Sequence, residues 1–165
     1  MEPRDVLKSV PFFADVLDDA ELDELAAHAH FIRYPQGSKP IEEDAPGHAM
    51  FIIVSGKAHV TVHGEDAAVA ELGRGDIAGE MSLLTGARRS ATITATTPLE
   101  VIEVNKQALA HVLKDSPDLV DRFAALIDRR QRELDRLAGG NAWGTMRLGK
   151  AEMAATIRSF FANTI

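Results

Sequence analysis

The chain has 165 residues, with 18 Lys+Arg against 25 Asp+Glu for a formal net charge of −7, and 45% of its residues are hydrophobic. That length suits one domain plus an appendage, and this composition, with 26% charged residues, excludes disordered, collagenous and rod-like coiled-coil classes. No window approaches the roughly 20 apolar residues of a membrane span, and Met1–Asp5 lacks the basic-then-apolar layout of a secretion signal. Cys is absent, which excludes disulfide frameworks and thiolate chemistry and leads us to expect a cytoplasmic location. The acidic balance argues against nucleic acid as a partner, so an anionic ligand would need one local site that works against the global charge.

In chain order, residues 11–30 read as mostly helical. Asp18 is placed to cap, with Glu21 as the other half of a capping box and Leu17 and Leu22 at the staple positions. Leu22, Leu25 and Ala26 then form an apolar face. From Phe31 to about Val104 short apolar or alternating runs predict strands at Met50–Val54, Ala58–Val62, Ala67–Leu72, Ala91–Thr96 and Leu99–Val104. Gly37, Gly56, Gly64, Gly73, Gly75 and Gly86 punctuate them, the rhythm of an antiparallel barrel or sandwich.

Asn105 caps a predicted short helix ending near Leu113, and Ser116-Pro117 opens a long one that Gly139-Gly140 stops after Ala138. Val120, Phe123, Ile127, Leu134 and Leu137 share one face of that helix, and the stripe's missing step is Arg130. A charge at an apolar step either snorkels or makes a specific contact. We therefore expect a domain over 1–138 and, over 139–165, a linker with an amphipathic tail helix, Lys150–Phe161, built on Met153, Ile157 and Phe160 or Phe161. Such a helix either packs back on the domain or docks a partner.

Chemistry concentrates between Leu72 and Thr92. Gly79 precedes a short apolar run, Met81–Leu84, able to form a helical turn whose unpaired N–H groups would receive an anion. Arg89 follows within reach with a guanidinium fork for phosphate oxygens, Ser90 adds a hydroxyl, and the N–H groups of Ser90 and Ala91 extend the cradle. Glu80 is discordant beside a phosphate, unless the ligand also offers a hydroxyl donor such as a ribose 2′-OH. On the residues alone two descriptions stand: a sugar-phosphate cradle, or a Glu80–Arg89 salt bridge in an ordinary glycine-rich loop.

The stretch resembles the phosphate-binding cassette of the cyclic nucleotide-binding domain family. Its pattern, Gly-Asp-x-x-Gly-Glu-x-(Ala/Ser)-Leu and then Arg-(Ser/Thr/Ala)-Ala-Thr, is met by Gly75, Asp76, Gly79, Glu80, Ser82, Leu83, Arg89, Ser90, Ala91 and Thr92. Val10–Phe13, Pro35, Gly37, Pro46-Gly47, Phe51–Ile53 and Ser55-Gly56 resemble the family's opening helix and first strands, so the likeness covers about residues 10–138. The family often has Gly at the position of Asp44, acids at Ala45 and His48, and an aromatic where Ala78 sits. The resemblance implies an α+β fold, an antiparallel barrel or jelly roll with flanking helices. It also implies a non-catalytic sensor that binds a 3′,5′-cyclic nucleotide and signals by movement of the C-terminal helix over it. The implied ligand-binding set is Gly79, Glu80, Met81, Ser82, Arg89, Ser90, Ala91 and Arg130, with Glu80 on the ribose 2′-OH, Arg89 on the cyclic phosphate and Arg130 at the base. Ser90 stands where cGMP-preferring relatives tend to carry Thr, which leaves cAMP and cGMP both open, with cAMP preferred.

No cofactor, metal or catalytic residue is expected. His59 and His63 share a strand face but would lie about 13 Å apart. His28 and His30, the better-spaced pair, would diverge if the first helix continued and could converge if a strand has begun, though no Glu follows at a matching interval. No Gly-x-Ser-x-Gly, Walker loop or His-Glu-x-x-His occurs. Residues 139–165, with Arg147, Lys150 and Arg158 as their bases, are too short and too weakly basic for a helix-turn-helix. The expected partners are a cyclic nucleotide and a downstream effector or partner protein, such as a channel or a second copy, without direct membrane insertion. The alternatives are a degenerate scaffold that has lost its ligand and a cupin-like metal enzyme.

Overall fold

The computed structural model describes residues 2–138 and 149–162, the side chains at 134, 135, 137 and 138 excepted. Three short helices come first: α1 (Pro3–Lys8), α2 (Pro11–Ala14) and α3 (Asp19–Ala27). The capping box forms as expected, with Glu21 N–H donating to Asp18 Oδ1 and Asp18 N–H to Glu21 Oε1, both at 2.8 Å. α1 was not foreseen; it opens on a proline at its first turn and buries Val6 and Leu7.

Strands β1 (His30–Tyr34), β2 (Ala49–Ser55), β3 (Ala58–Thr61), β4 (Ala70–Leu72), β5 (Ile77–Ala78), β6 (Thr92–Ala95) and β7 (Leu99–Asn105) follow, with helix α4 (Glu80–Thr85) between β5 and β6. They form two antiparallel sheets, ordered β1-β7-β2-β5 and β4-β3-β6, so the jelly-roll-like body is not a closed barrel. The isolated Ile41–Ile93 bridge carries the chain before β2 onto β6.

β2 pairs with β7 in the register Met50↔Val104 and Ile52↔Ile102. These residues face the large helical core, whereas Phe51, Ile53, Leu99 and Val101 face a second core shared with Ala58, Ile93 and Ala95 of the other sheet. Burial on both faces explains why Ala49–Val54 is an unbroken apolar run rather than an alternating one.

α5 (Lys106–Asp115) begins at Asn105, whose side chain accepts from Ala108 N–H at 2.9 Å. α6 (Leu119–Ala138) begins two residues after Pro117, because the Ser116 carbonyl first accepts from Leu119 N–H in a turn. Val120, Phe123 and Ile127 are buried as the stripe predicts, and the side chains of Leu134 and Leu137 lie outside the described residues. Phe12, Phe13 and Phe123 interlock, with ring centroids 5.1, 5.3 and 6.3 Å apart. Arg122 clamps α6 to the N-terminal helices through both oxygens of the buried Glu21 and the carbonyl of Val16.

α7 (Lys150–Phe161) packs back onto the body: Met153, Ala154, Ile157 and Phe161 join the large core, and Arg158 pairs with Asp121 of α6 at 2.8 Å. The expected linker, apart from Gly149, lies outside the described residues. Among the described residues no helix is long and apolar enough to cross a membrane.

Candidate functional site

The site is built where β5 passes into α4. Gly79 takes φ 88°, ψ 14°, a left-handed conformation that an L side chain adopts only under strain, and so turns the chain sharply off the strand. The first-turn N–H groups of Glu80, Met81 and Ser82 have no intrahelical acceptor and concentrate partial positive charge at one end of α4. Gly86 closes the helix, and the buried Ser82 hydroxyl donates to the Ala87 carbonyl at 2.7 Å. Ser82 thus uses its hydroxyl to hold the cassette loop.

Arg89 is 7% exposed. Its Nη1 donates to the Ala49 carbonyl at 2.7 Å and, more weakly, lies 3.5 Å from the Gly79 carbonyl, and its guanidinium lies 5.9 Å from the Phe51 ring centroid. Its backbone is equally fixed: Arg89 N–H donates to Ala45 O at 3.0 Å and Asp44 N–H to Arg89 O at 2.8 Å. Two glycines make room for it. A Cβ at Gly47 would lie 2.6 Å from Nη2, and one at Gly79 would lie 2.5 Å from Nη1.

Among the described residues Arg89 has no carboxylate partner, and Nε and Nη2 donate to no protein acceptor. The Glu80–Arg89 salt bridge that one description of the loop required is therefore not made. Burial pulls the Arg89 guanidinium below its ordinary range, and the charges of Glu103 and Glu80, acting at a distance, oppose this only in part. A buried cation with no carboxylate partner among the described residues, next to the first-turn N–H groups of a helix, is an arrangement that can receive one small anion.

Burial pushes the Glu80 carboxyl above its usual range, against the opposing pull of its own backbone N–H, Arg130 and Arg89. Arg130 thus acts on Glu80 through space, but its guanidinium rests 5.5 Å from the ring centroid of the fully buried Phe12. The sequence singled out Arg130 as a charge on an apolar stripe, and the contact it makes is a cation–π contact within the fold. The exposed Ser90 and the half-buried Ala91 lead from Arg89 into β6. Beside the cassette runs a narrow apolar cleft between the sheets, lined by Ile41, Phe51, Leu72, Ala78, Ile93 and Leu99. Phe51 belongs to both the cleft and the guanidinium seat.

Gly79, Glu80, Met81, Ser82 and Arg89 are therefore brought together, with Ser90 and Ala91 adjoining and Arg130 at one remove. Gly47, the Ala49 carbonyl and Phe51 escaped sequence reasoning, since their part comes only from long-range pairing. Asp44 carried a signal: it adopts φ 66°, at the position where the family often has Gly.

The family model of the cyclic nucleotide-binding domain matches residues 31–116, just over half of the chain, and the chain belongs to that family. It is 37% identical over 107 residues to a cAMP-dependent protein kinase regulatory subunit of Yarrowia lipolytica, covering 65% of this chain and 28% of that protein. It is 30% identical over 132 residues to the cyclic AMP receptor protein of Thermus thermophilus, covering 78% and 61%. The chain thus spans less than two-thirds of the length of either. Among solved structures it resembles the N-terminal domain of a transcriptional regulator from Streptomyces coelicolor, with TM-score 0.69, 26% identity and coverage of 85% and 99%. It also resembles a cyclic nucleotide-binding domain from Methylobacillus flagellatus, with TM-score 0.65, 25% identity and coverage of 88% and 85%.

Proposed function

We propose that the chain is a non-catalytic regulatory sensor that binds a 3′,5′-cyclic nucleotide, cAMP in preference to cGMP, and signals through its C-terminal helix. The observation that carries the reading is Arg89, a buried cation whose Nη1 is anchored on a carbonyl while Nε and Nη2 make no hydrogen bond among the described residues. The monoanionic phosphate would supply the missing counter-charge in a bidentate fork, with the N–H groups of Glu80, Met81, Ser82 and Ala91 around it and Gly79 giving the backbone close approach. Glu80 would accept from the ribose 2′-OH, and the charges of Arg130 and Arg89, acting at a distance, pull its carboxyl towards the ionised form against the effect of burial. Ser90 would add its hydroxyl or N–H. The names of the regulatory subunit and receptor relatives, which specify cAMP, support that choice.

The packing of α6 supports such a signalling motion. Its first half is fixed by Phe123, Ile127, the Arg122–Glu21 clamp and the Arg158–Asp121 pair. From Asp128 onward the described side chains are not fully buried, so Arg130 can exchange Phe12 for the base at the expense of a cation–π contact worth about 0.5–1 kcal/mol. Ligand contacts made only in the closed arrangement would shift the population towards it. Calorimetric titration of the chain with cAMP, cGMP and a cyclic dinucleotide tests the reading: tightest binding of cAMP at one site per chain is expected, and no heat with any of the three would overturn it.

A further inference from the structure

We propose that Glu43, Asp44 and His63 form a binding site for a divalent first-row transition ion, such as Zn²⁺, on the outer side of the loop that braces Arg89. The three residues come from two parts of the chain, the adjacent Glu43 and Asp44 and the distant His63, and one ligand atom from each lies within 4.8 Å of the other two. The Glu43 side chain is only 12% exposed; one of its oxygens accepts from His63 N–H at 2.9 Å, and the other stands 3.5 Å from His63 Nε2.

That separation suits a metal. Two donors 3.5 Å apart, each bonded at about 2.1 Å, subtend about 110° at the ion, close to the tetrahedral angle. The backbone of both acids is already committed, which leaves their carboxylates available. Glu43 N–H donates to Thr92 Oγ1 at 2.9 Å, Asp44 N–H to Arg89 O, and the Asp44 carbonyl accepts from Arg88 Nη1 at 2.7 Å. Among the described residues neither carboxylate pairs with Lys or Arg. Two carboxylates and a neutral imidazole leave a local charge that a dication cancels. The imidazole favours a transition ion over Ca²⁺ or Mg²⁺, which prefer oxygen alone. Three protein ligands leave a position for water, the arrangement of an open site rather than a closed structural one.

The ion would tie the 43–45 loop to the hairpin that follows β3. Because Asp44 and Ala45 bracket the Arg89 backbone on both sides, the site lies one hydrogen bond from the cassette arginine. The test is calorimetric titration of the chain with Zn²⁺ alone and with Ca²⁺ alone, on the parent and on His63→Ala, Glu43→Gln, His59→Ala and His111→Ala. Thermal unfolding of each checks that it folds.

One Zn²⁺ per chain is expected. It should be lost or weakened in His63→Ala and Glu43→Gln by at least the roughly tenfold that even an outer partner of a metal ligand is worth, and kept in the other two variants. Failure of the parent to bind Zn²⁺, tighter binding of Ca²⁺, or loss of the site in His111→Ala, whose ring stacks on His28 at 4.3 Å, would each overturn the assignment.

Discussion

Replacing Gly79 with Ala strikes the cassette at its narrowest point. Two penalties combine. The first is conformational: at φ 88° an L residue is strained by about 1–2 kcal/mol. The second is steric: the new Cβ would lie 2.5 Å from Arg89 Nη1 and 2.9 Å from the Ala49 carbonyl oxygen. The carbonyl is backbone and resists, so the guanidinium must move and lose its 2.7 Å bond to Ala49, a charged hydrogen bond worth about 1.5–3 kcal/mol. Some relaxation will recover part of this, and we expect a loss of about 2–4 kcal/mol of stability in urea unfolding, with cyclic nucleotide binding weakened in parallel. Two further glycines separate the causes. Gly75 has φ 89° with open space around it, and Gly73 has open space without the left-handed backbone. Gly75→Ala should therefore cost about 1–2 kcal/mol and Gly73→Ala about 0–0.5 kcal/mol. If Gly79→Ala costs no more than Gly75→Ala, Arg89 is not held as described.

Three other outcomes follow from the packing. Arg130→Ala should weaken cyclic nucleotide binding by less than about tenfold and leave ligand-induced amide-exchange protection of the second half of α6 incomplete; protection identical to the parent's would refute its role in closure. Glu21→Gln should lower stability at neutral pH by about 2 kcal/mol, below the 3–5 kcal/mol of a fully buried pair because Arg122 is partly solvated. Burial raises the Glu21 carboxyl, but Arg122, Asp18 N–H and the Ser116 hydroxyl outweigh it and leave the carboxyl below its usual range. Its stabilisation is therefore present above the unfolded value of about 4.3 and lost as pH falls through the folded value, so urea midpoints of parent and Glu21→Gln should converge on acidification. Phe161→Ala removes a fully buried ring that ties α7 to the core, and chemical unfolding should show a loss of about 3–5 kcal/mol; a near-neutral result would make α7 an appendage.

What the sequence revealed was mostly local. The Asp18–Glu21 capping box and the Asn105 cap were legible because each is a contact between residues three apart. The cassette was legible through its match to the family's pattern, since on the residues alone Gly79, Glu80 and Arg89 fitted a salt-bridged loop equally well. The β1 strand and the two-residue β5 escaped notice, since β5 exists only through its pairing with Phe51 and Ile52. β4 proved shorter than the apolar run Ala67–Leu72, because only Ala70–Leu72 finds ladder partners on β3. Distance in sequence hid the rest. Gly47 and Ala49 hold an arginine some forty residues later, and Glu43 meets His63 across a hairpin whose strand ends at Thr61, so the sheet-face argument applied to His63 had no strand to rest on. His28, considered beside His30, stacks instead on His111.

The central claim is that an uncompensated buried arginine makes the anion site, and the most direct test is calorimetric titration of cAMP into the parent chain and Arg89→Ala. Truncating one partner of a buried charge pair removes about 2–5 kcal/mol, so the variant should bind roughly thirty-fold to several-thousand-fold more weakly. A parent and variant of equal affinity would contradict the assignment.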